Sequence, residues 1–299
     1  MAILQVLQQS PATLTTICFL LGLLVGSFLN VVIYRLPLML QRDWRQKCCE
    51  FLEIEDPQAT NKNKALSRTK LSLVKPASYC PQCQHKIRAW ENIPLVSYAL
   101  LGGKCANCKL RIPARYPALE LATGVLSALV AVKFGATLLT LALLLFVWAL
   151  VSLTVIDFDH QLLPDDITLP LLWLGLAVNT QELGTGVTAQ DSVLGAIVGY
   201  LSLWSLYWVF KLATGKEGMG YGDFKLLAAL GAWMGWQALL PVIVLSSLVG
   251  AAFGVGSILL MGRDKSAPMP FGPFLAGAGL IIMIWGNQIF SFYVTRLLL

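Results

Sequence analysis

The sequence predicts an all-α polytopic membrane protein with a small cytoplasmic domain in its first loop, and three observations predict it. Of the 299 residues, 57% are hydrophobic and only 13% charged, whereas soluble domains carry about 25% charged residues. The apolar residues gather in runs long enough to cross a bilayer. The charges gather in one stretch near the amino terminus. With a mean hydropathy of +0.69, the chain lacks the polar surface to solvate itself. That excludes a soluble enzyme, a secreted disulfide scaffold and a disordered protein.

The elements follow in order. Residues 1–34 carry no charged side chain, and 15–34 is long enough to span a bilayer. This segment has neither a basic n-region nor an A-x-A cleavage site, so it reads as a retained first helix and not as a signal peptide. The run 135–156 holds 22 uncharged residues, about 33 Å of helix at 1.5 Å per residue. Further runs fall at 192–211, 226–240, 241–262 and 271–295. Two weaker ones are 117–133, which contains Glu120, and 167–181, which is short. About eight transmembrane helices result. They divide the chain into a first helix (1–34), a cytoplasmic domain (35–116) with a flexible insert (46–75), and a seven-helix membrane domain (117–299).

Charge orients these helices. Residues 35–117 hold 15 Lys/Arg against 6 Asp/Glu, within a net charge of +6. A basic patch can serve nucleic acid, but the excess of Lys/Arg in cytoplasmic loops of membrane proteins accounts for this one. With that loop inside, alternation places the loops after Arg35, Ile156, Lys211 and Gly262 in the cytoplasm. Twenty of the 22 Lys/Arg then lie inside, and only Lys133 and Arg296 outside. The expectation is a multi-pass protein of the bacterial inner membrane, with the lipid bilayer as a partner and no nucleic acid.

Four of the seven cysteines form Cys80-Pro-Gln-Cys83 and Cys105-Ala-Asn-Cys108. Two C-x-x-C knuckles at this separation can set four thiolates tetrahedrally around one zinc ion. A reducing cytoplasm favours metal ligation over disulfides. Four thiolates leave no open coordination position, so the zinc is expected to be structural, supplying folding energy to a loop with few apolar residues. Cys18 reads as a small buried hydrophobe. Cys48 and Cys49 fall in the polar insert and receive no role.

The chemistry narrows by residue type. Only His85 and His160 are present, too few for a Ser-His or Cys-His nucleophile with a marked partner, and no H-E-x-x-H motif occurs. His85 reads as ordinary surface. Carboxylates remain. One group is Asp157, Asp159, Asp165 and Asp166 after the third span, and another is Asp223 in Gly220-Tyr221-Gly222-Asp223 before the sixth. Ionisable groups at membrane depth are functional suspects. Two carboxyls in contact share a proton, so one can take a proton from water while the other polarises a peptide carbonyl. The plainer alternatives are an N-cap for Asp223 and solvated loop carboxylates for the others.

Taken together, these residues resemble the type IV prepilin leader peptidases, bifunctional membrane enzymes of pilus assembly and type II secretion and GxGD-type intramembrane aspartic peptidases. The resemblance covers nearly the whole chain. Gly26-Ser27-Phe28-Leu29-Asn30 through Arg35-Leu36-Pro37 is similar to the family's opening signature. The cysteine knuckles, Glu91-Asn92-Ile93-Pro94 and Arg115-Tyr116-Pro117 are similar to its cytoplasmic domain. The D-x5-L-P-D pattern falls on Asp157, Leu163, Pro164 and Asp165, G-x-G-D on Gly220, Gly222 and Asp223, and Pro270-Phe271-Gly272-Pro273 precedes the last helix. The resemblance implies removal of a short basic leader from prepilins and pseudopilins at the cytoplasmic face. N-methylation of the new terminus from S-adenosylmethionine would follow. Carried over, the catalytic residues are Asp157 and Asp223, with Asp159 competing for the first role. The insert 46–75 matches no family motif.

No strand–glycine–helix pattern locates the methyl donor. Asn30, Arg35 and the cysteine-bearing loop are candidates for its site. Asn30 also reads as a helix-packing group and Arg35 as an interfacial anchor. Two other classes fit less well: a transporter, for which the halves show no convincing repeat, and a peptide-binding module without hydrolysis. Gly250-x-x-x-Gly254 reads as a packing face, and tryptophans near span ends as headgroup markers.

Overall fold

The computed structural model describes residue 8 and residues 10–54, 71–262 and 269–297. Among these lie eight long helices: α1 (Pro11–Phe51), α2 (Arg115–Phe134), α3 (Leu138–His160), α4 (Asp165–Thr180), α5 (Ala189–Thr214), α6 (Tyr221–Met234), α7 (Leu239–Met261) and α8 (Gly272–Leu297). Five are long and apolar enough to cross a membrane: α1, α2, α3, α5 and the segment Trp236–Leu260 that contains α7. The chain is a multi-pass membrane protein. Helices α4 and α6, with 16 and 14 residues, are shorter, and the apolar part of α8 is Gly272–Gly286. The described residues form two compact units, Thr16–Ala128 and Leu129–Leu299 with the start of the chain.

In the first unit, α1 runs through Pro37 to Phe51, past the end near residue 34 that the sequence suggests. Charge beginning at Arg35 ends the apolar stretch without ending the helix. The polar turns are helix-compatible and carry a Lys47–Asp43 pair at 2.7 Å and a Gln46–Glu50 bond at 2.9 Å, both spaced i, i+4. Residues 46–51 of the expected flexible insert, Cys48 and Cys49 among them, are therefore helical. The part from 55 to 70 lies outside the described residues.

The polar residues of the first helix hold this unit together. Arg35 is 7% exposed and donates to the carbonyls of Pro76 (2.7 Å), Ser72 (2.9 Å) and Leu73 (3.4 Å). It is buried, not an interfacial anchor. Asn30 Nδ2 donates to the Tyr116 carbonyl at 3.3 Å. Glu120 Oε2 accepts the Leu95 N–H at 3.0 Å and also bonds Ser27. These bonds tie α1, the 72–76 and 95 loops and α2 into one polar network.

In the second unit α6 is the centre. It is apolar nearly all round, and Phe224 through Trp233 are buried, apart from the half-buried Lys225, as expected of a helix enclosed on every side. It packs against α4, α5 and α8. Two helical turns of α5 approach it through Gly195 and Gly199. A Cβ at Gly195 would overlap the Gly231 carbonyl oxygen, and one at Gly199 would sit 2.7 Å from that of Leu227. Small residues allow such backbone proximity between membrane helices. The Gly250/Gly254 face of α7 meets the side chains of Phe274 and Met269. Cys18 is buried as a small hydrophobe should be.

The carboxyl end of α6 differs from the expected span 226–240. Gly235, at φ 77°, stops the helix at Met234, in a conformation that favours glycine. Its last carbonyls are capped by side chains: Asn179 Nδ2 donates to Ala232 O at 2.8 Å and Trp233 O at 3.3 Å, and Ser192 Oγ donates to Ala232 O. Trp233 is fully buried and donates its indole N–H to Leu171 O at 2.9 Å. It is a core residue and not a headgroup marker.

Candidate functional site

Two constellations emerge, one in each unit. In the first, each cysteine knuckle is a small reversed loop. Cys80 N–H donates to His85 O at 2.9 Å, and Cys105 N–H donates to Leu110 O at 2.8 Å. Isolated antiparallel bridges join Tyr79 to Lys86 and Lys104 to Arg111. Gln84 and Lys109 occupy matching positive-φ positions at 57° and 60°. The two knuckles thus repeat one fold and present their thiols to each other. All four Sγ atoms lie within 4.8 Å of one another, with Cys80–Cys108 at 3.7 Å and Cys83–Cys105 at 3.9 Å. Tetrahedral zinc with bonds near 2.3 Å requires sulfurs about 3.8 Å apart. The cluster fits that ion.

Electrostatics agree with ligation. The backbone N–H of His85 brings the Cys83 thiol down to about 6, and those of Cys108 and Asn107 lower Cys105. Cys108 gains from the Leu110 N–H, but desolvation and the neighbouring thiols push it up to about 12. Several sulfurs compete for protons in a space that a divalent cation would neutralise. His85 is more than ordinary surface. Its Nε2 meets Glu91 Oε2 at 3.1 Å, linking the first knuckle to the Glu91-Asn92-Ile93-Pro94 turn. The Glu91 side chain, 6% exposed, is held below the usual carboxylate range by the Arg88 N–H and by His85.

The second constellation lies where α3, α6 and the start of α8 converge. Asp157 occupies the last turn of α3, which ends at Gln161 in the left-handed conformation at φ 52°. Asp223 is the third residue of α6, whose N-cap is Gly220, so it does not cap the helix. The two residues are 5% and 7% exposed, and their carboxyls are within electrostatic reach of each other. Asp157 Oδ2 accepts the Gly272 N–H at 3.0 Å. Asp223 Oδ1 is buried with no hydrogen-bond partner.

Leu163, from the D-x5-L-P-D segment, packs between the other two motifs. A Cβ on Gly222 would lie 2.7 Å from its Cβ, and one on Gly272 would lie 3.2 Å from its Cδ1 and 2.6 Å from Asp157 Oδ2. Asp165, at the start of α4, grips Lys225 of α6 with both oxygens at 2.8 and 2.7 Å. Asp159 and Asp166 are exposed. Of the five acids singled out in the sequence, the fold buries Asp157 and Asp223 in one place and engages Asp165 as a strut.

Comparison with known proteins bears on both constellations. The model of the bacterial peptidase A24 N-terminal domain matches residues 20–134, and that of the type IV leader peptidase family matches residues 144–255. A prepilin leader peptidase/N-methyltransferase of Pseudomonas aeruginosa is 53% identical over 295 residues, 98% of each chain. One from Stutzerimonas stutzeri is 52% identical over 288 residues, 96% of each chain. The chain belongs to the type IV leader peptidase family. A more distant member, from Legionella pneumophila, is 44% identical over 275 residues, 92% of each chain. No solved structure matches the chain.

Within this family frame, several residues that matter to the site carry no chemistry of their own in the sequence. Gly272 offers only a backbone N–H, Leu163 only bulk, and Lys225 a charge indistinguishable from other loop lysines. The Pro270-Phe271-Gly272-Pro273 motif is the one sequence signal for Gly272, and in the sequence it marks only the entry to the last helix.

Proposed function

We propose that the chain is a membrane aspartic endopeptidase and N-methyltransferase. It removes the basic leader of type IV prepilins and pseudopilins at the cytoplasmic face of the bacterial inner membrane. It then methylates the new amino terminus from S-adenosylmethionine. One observation carries the hydrolytic part: two buried carboxyls, Asp157 and Asp223, are brought within electrostatic reach from separate helices in a chain of the leader peptidase family. Two such acids hold one proton between them. One draws a proton from water while the other donates to the scissile carbonyl, and no covalent intermediate forms.

The surroundings suit that task. Both acids sit at helix ends that the charge distribution assigns to the cytoplasmic side, where a basic leader is retained by the same rule. Cys80, Cys83, Cys105 and Cys108 would hold a zinc ion whose closed coordination suits a structural role. S-adenosylmethionine supplies the methyl group, and the terminal amine accepts it after cleavage.

The test is direct. Purified protein in lipid nanodiscs is incubated with a prepilin, and the product mass is read before and after addition of S-adenosylmethionine. Loss of the leader mass followed by a gain of one methyl group is expected. Asp157→Asn and Asp223→Asn should each abolish leader removal while a pre-cleaved pilin is still methylated. Normal cleavage by either variant would remove that aspartate from the mechanism. No mass change at all would favour a transporter or a peptide-binding module.

A further inference from the structure

The two acids of the dyad do not have equivalent surroundings. Asp157 Oδ2 receives the backbone N–H of Gly272 at 3.0 Å, and the fold leaves Asp223 Oδ1 buried without any donor. Among the described residues, no charged side chain makes up the difference. Residues 269–286, including the start of α8, contain none. On α4 and α6, Asp165 and Lys225 neutralise each other, while Asp166 on α4 and Asp159 and His160 on α3 are exposed. The Gly220 N–H faces the other side of the Asp223 carboxyl, but among the described residues only the Gly272 N–H makes a well-formed hydrogen bond to a dyad oxygen, at 3.0 Å, and Asp223 keeps one oxygen with no donor.

A backbone N–H binds a carboxylate oxygen more strongly than the oxygen of a carboxylic acid. We infer that Gly272 is a positioning residue whose N–H holds Asp157 as the charged member of the dyad, leaving the shared proton on Asp223. This rests on the dyad proposed above. It assigns the roles within it. Asp157 takes a proton from water as the water oxygen bonds to the scissile carbon, and Asp223 gives its proton to the carbonyl oxygen. A gem-diol forms. Asp157 then passes its proton to the amide nitrogen as the C–N bond breaks, and Asp223 recovers one from a diol hydroxyl as the C=O bond re-forms. Both acids return to their starting states.

The glycine is also a steric requirement. A Cβ at 272 would sit 2.6 Å from Asp157 Oδ2, so only a residue without a side chain lets the backbone come close enough to donate.

The experiment replaces Gly272 by glycolic acid during cell-free synthesis into nanodiscs, which exchanges the N–H for an ester oxygen and adds no bulk. A hydrogen bond to a charged group contributes enough that its loss should lower kcat for leader removal by about 10- to 100-fold. KM should stay within about twofold, and methylation of a pre-cleaved pilin should not change. Gly272→Ala keeps the N–H but displaces the carboxylate, and should also lower kcat at constant KM. Gly277→Ala, on the same helix with open space around its Cβ, should cleave normally. An ester variant with wild-type kcat overturns the inference. So does one in which KM or methylation fails in step with kcat, because the N–H would then serve folding. Asp157→Asn, run in parallel, separates the two levels. An active Asp157→Asn sinks the dyad itself, whereas an inactive one beside a fully active ester sinks only the role of Gly272.

Discussion

Replacing Gly231 by alanine is the sharpest test of how the fold holds Asp223 in place. The added methyl would meet the backbone of Gly195 on α5, and its carbonyl oxygen would lie inside van der Waals contact. Backbone cannot rotate away as a side chain can, so the helices must part by about 1 Å. Overpacking of this kind costs about 1–3 kcal/mol, and the upper end applies here because α6 is enclosed by α4, α5 and α8. Alanine returns about 1 kcal/mol through its better helix propensity. The net loss is about 2 kcal/mol, or about 4–8 °C in Tm for a unit of this size. Asp223 lies about 12 Å along the same rigid helix. A shift of about 1 Å at a reacting group can cost about 100-fold in rate. Gly256→Ala is the control, since its Cβ would meet nothing within 4 Å, and it should be neutral or slightly stabilising. Thermal unfolding in detergent and prepilin cleavage are measured on both. A Gly231→Ala protein that melts with the wild type and cleaves within twofold of it would refute the close-packing argument.

Other outcomes follow from the same structure. Changing Cys80 and Cys83 to serine should release about one zinc per chain and expose the 78–112 loop to proteolysis, as judged by metal analysis and limited digestion. Asn179→Ala strips the cap from Ala232 and Trp233 and should destabilise by about 1–3 kcal/mol, read as a lower Tm. The Glu91 carboxyl is held below its ordinary value by the Arg88 N–H and then by His85. Its contribution is therefore present above the unfolded carboxylate value and fades as pH falls through the lowered one. Hydrogen exchange at Arg88 and Glu91 should accelerate over that acidic window in the wild type, and Glu91→Gln should flatten the response.

The sequence by itself determined the class, the number of long helices and the chemistry available. Bilayer insertion responds to summed apolarity over about 20 residues, and the positive-inside rule responds to Lys/Arg counts. Both are properties of composition along the chain and need no fold. The four cysteines were equally legible, because ligand type and spacing nearly suffice for tetrahedral zinc. Helix ends were less so. Charge at Arg35 marked where the apolar stretch stops, yet α1 continues to Phe51, and a single glycine at 235 stops α6 inside an apolar run. Only the tertiary structure separated the aspartates. Asp157, Asp159 and Asp165 sit within nine residues of one another, but at about 100° per residue Asp157 and Asp159 point to opposite sides of α3, and Asp165 starts the next helix after the chain turns at Gln161. One is buried beside Asp223, one is exposed and one pairs with Lys225. The Gly272 N–H was invisible for a related reason. Every residue except proline has one, and what distinguishes it is where the chain, 115 residues after Asp157, returns to place it.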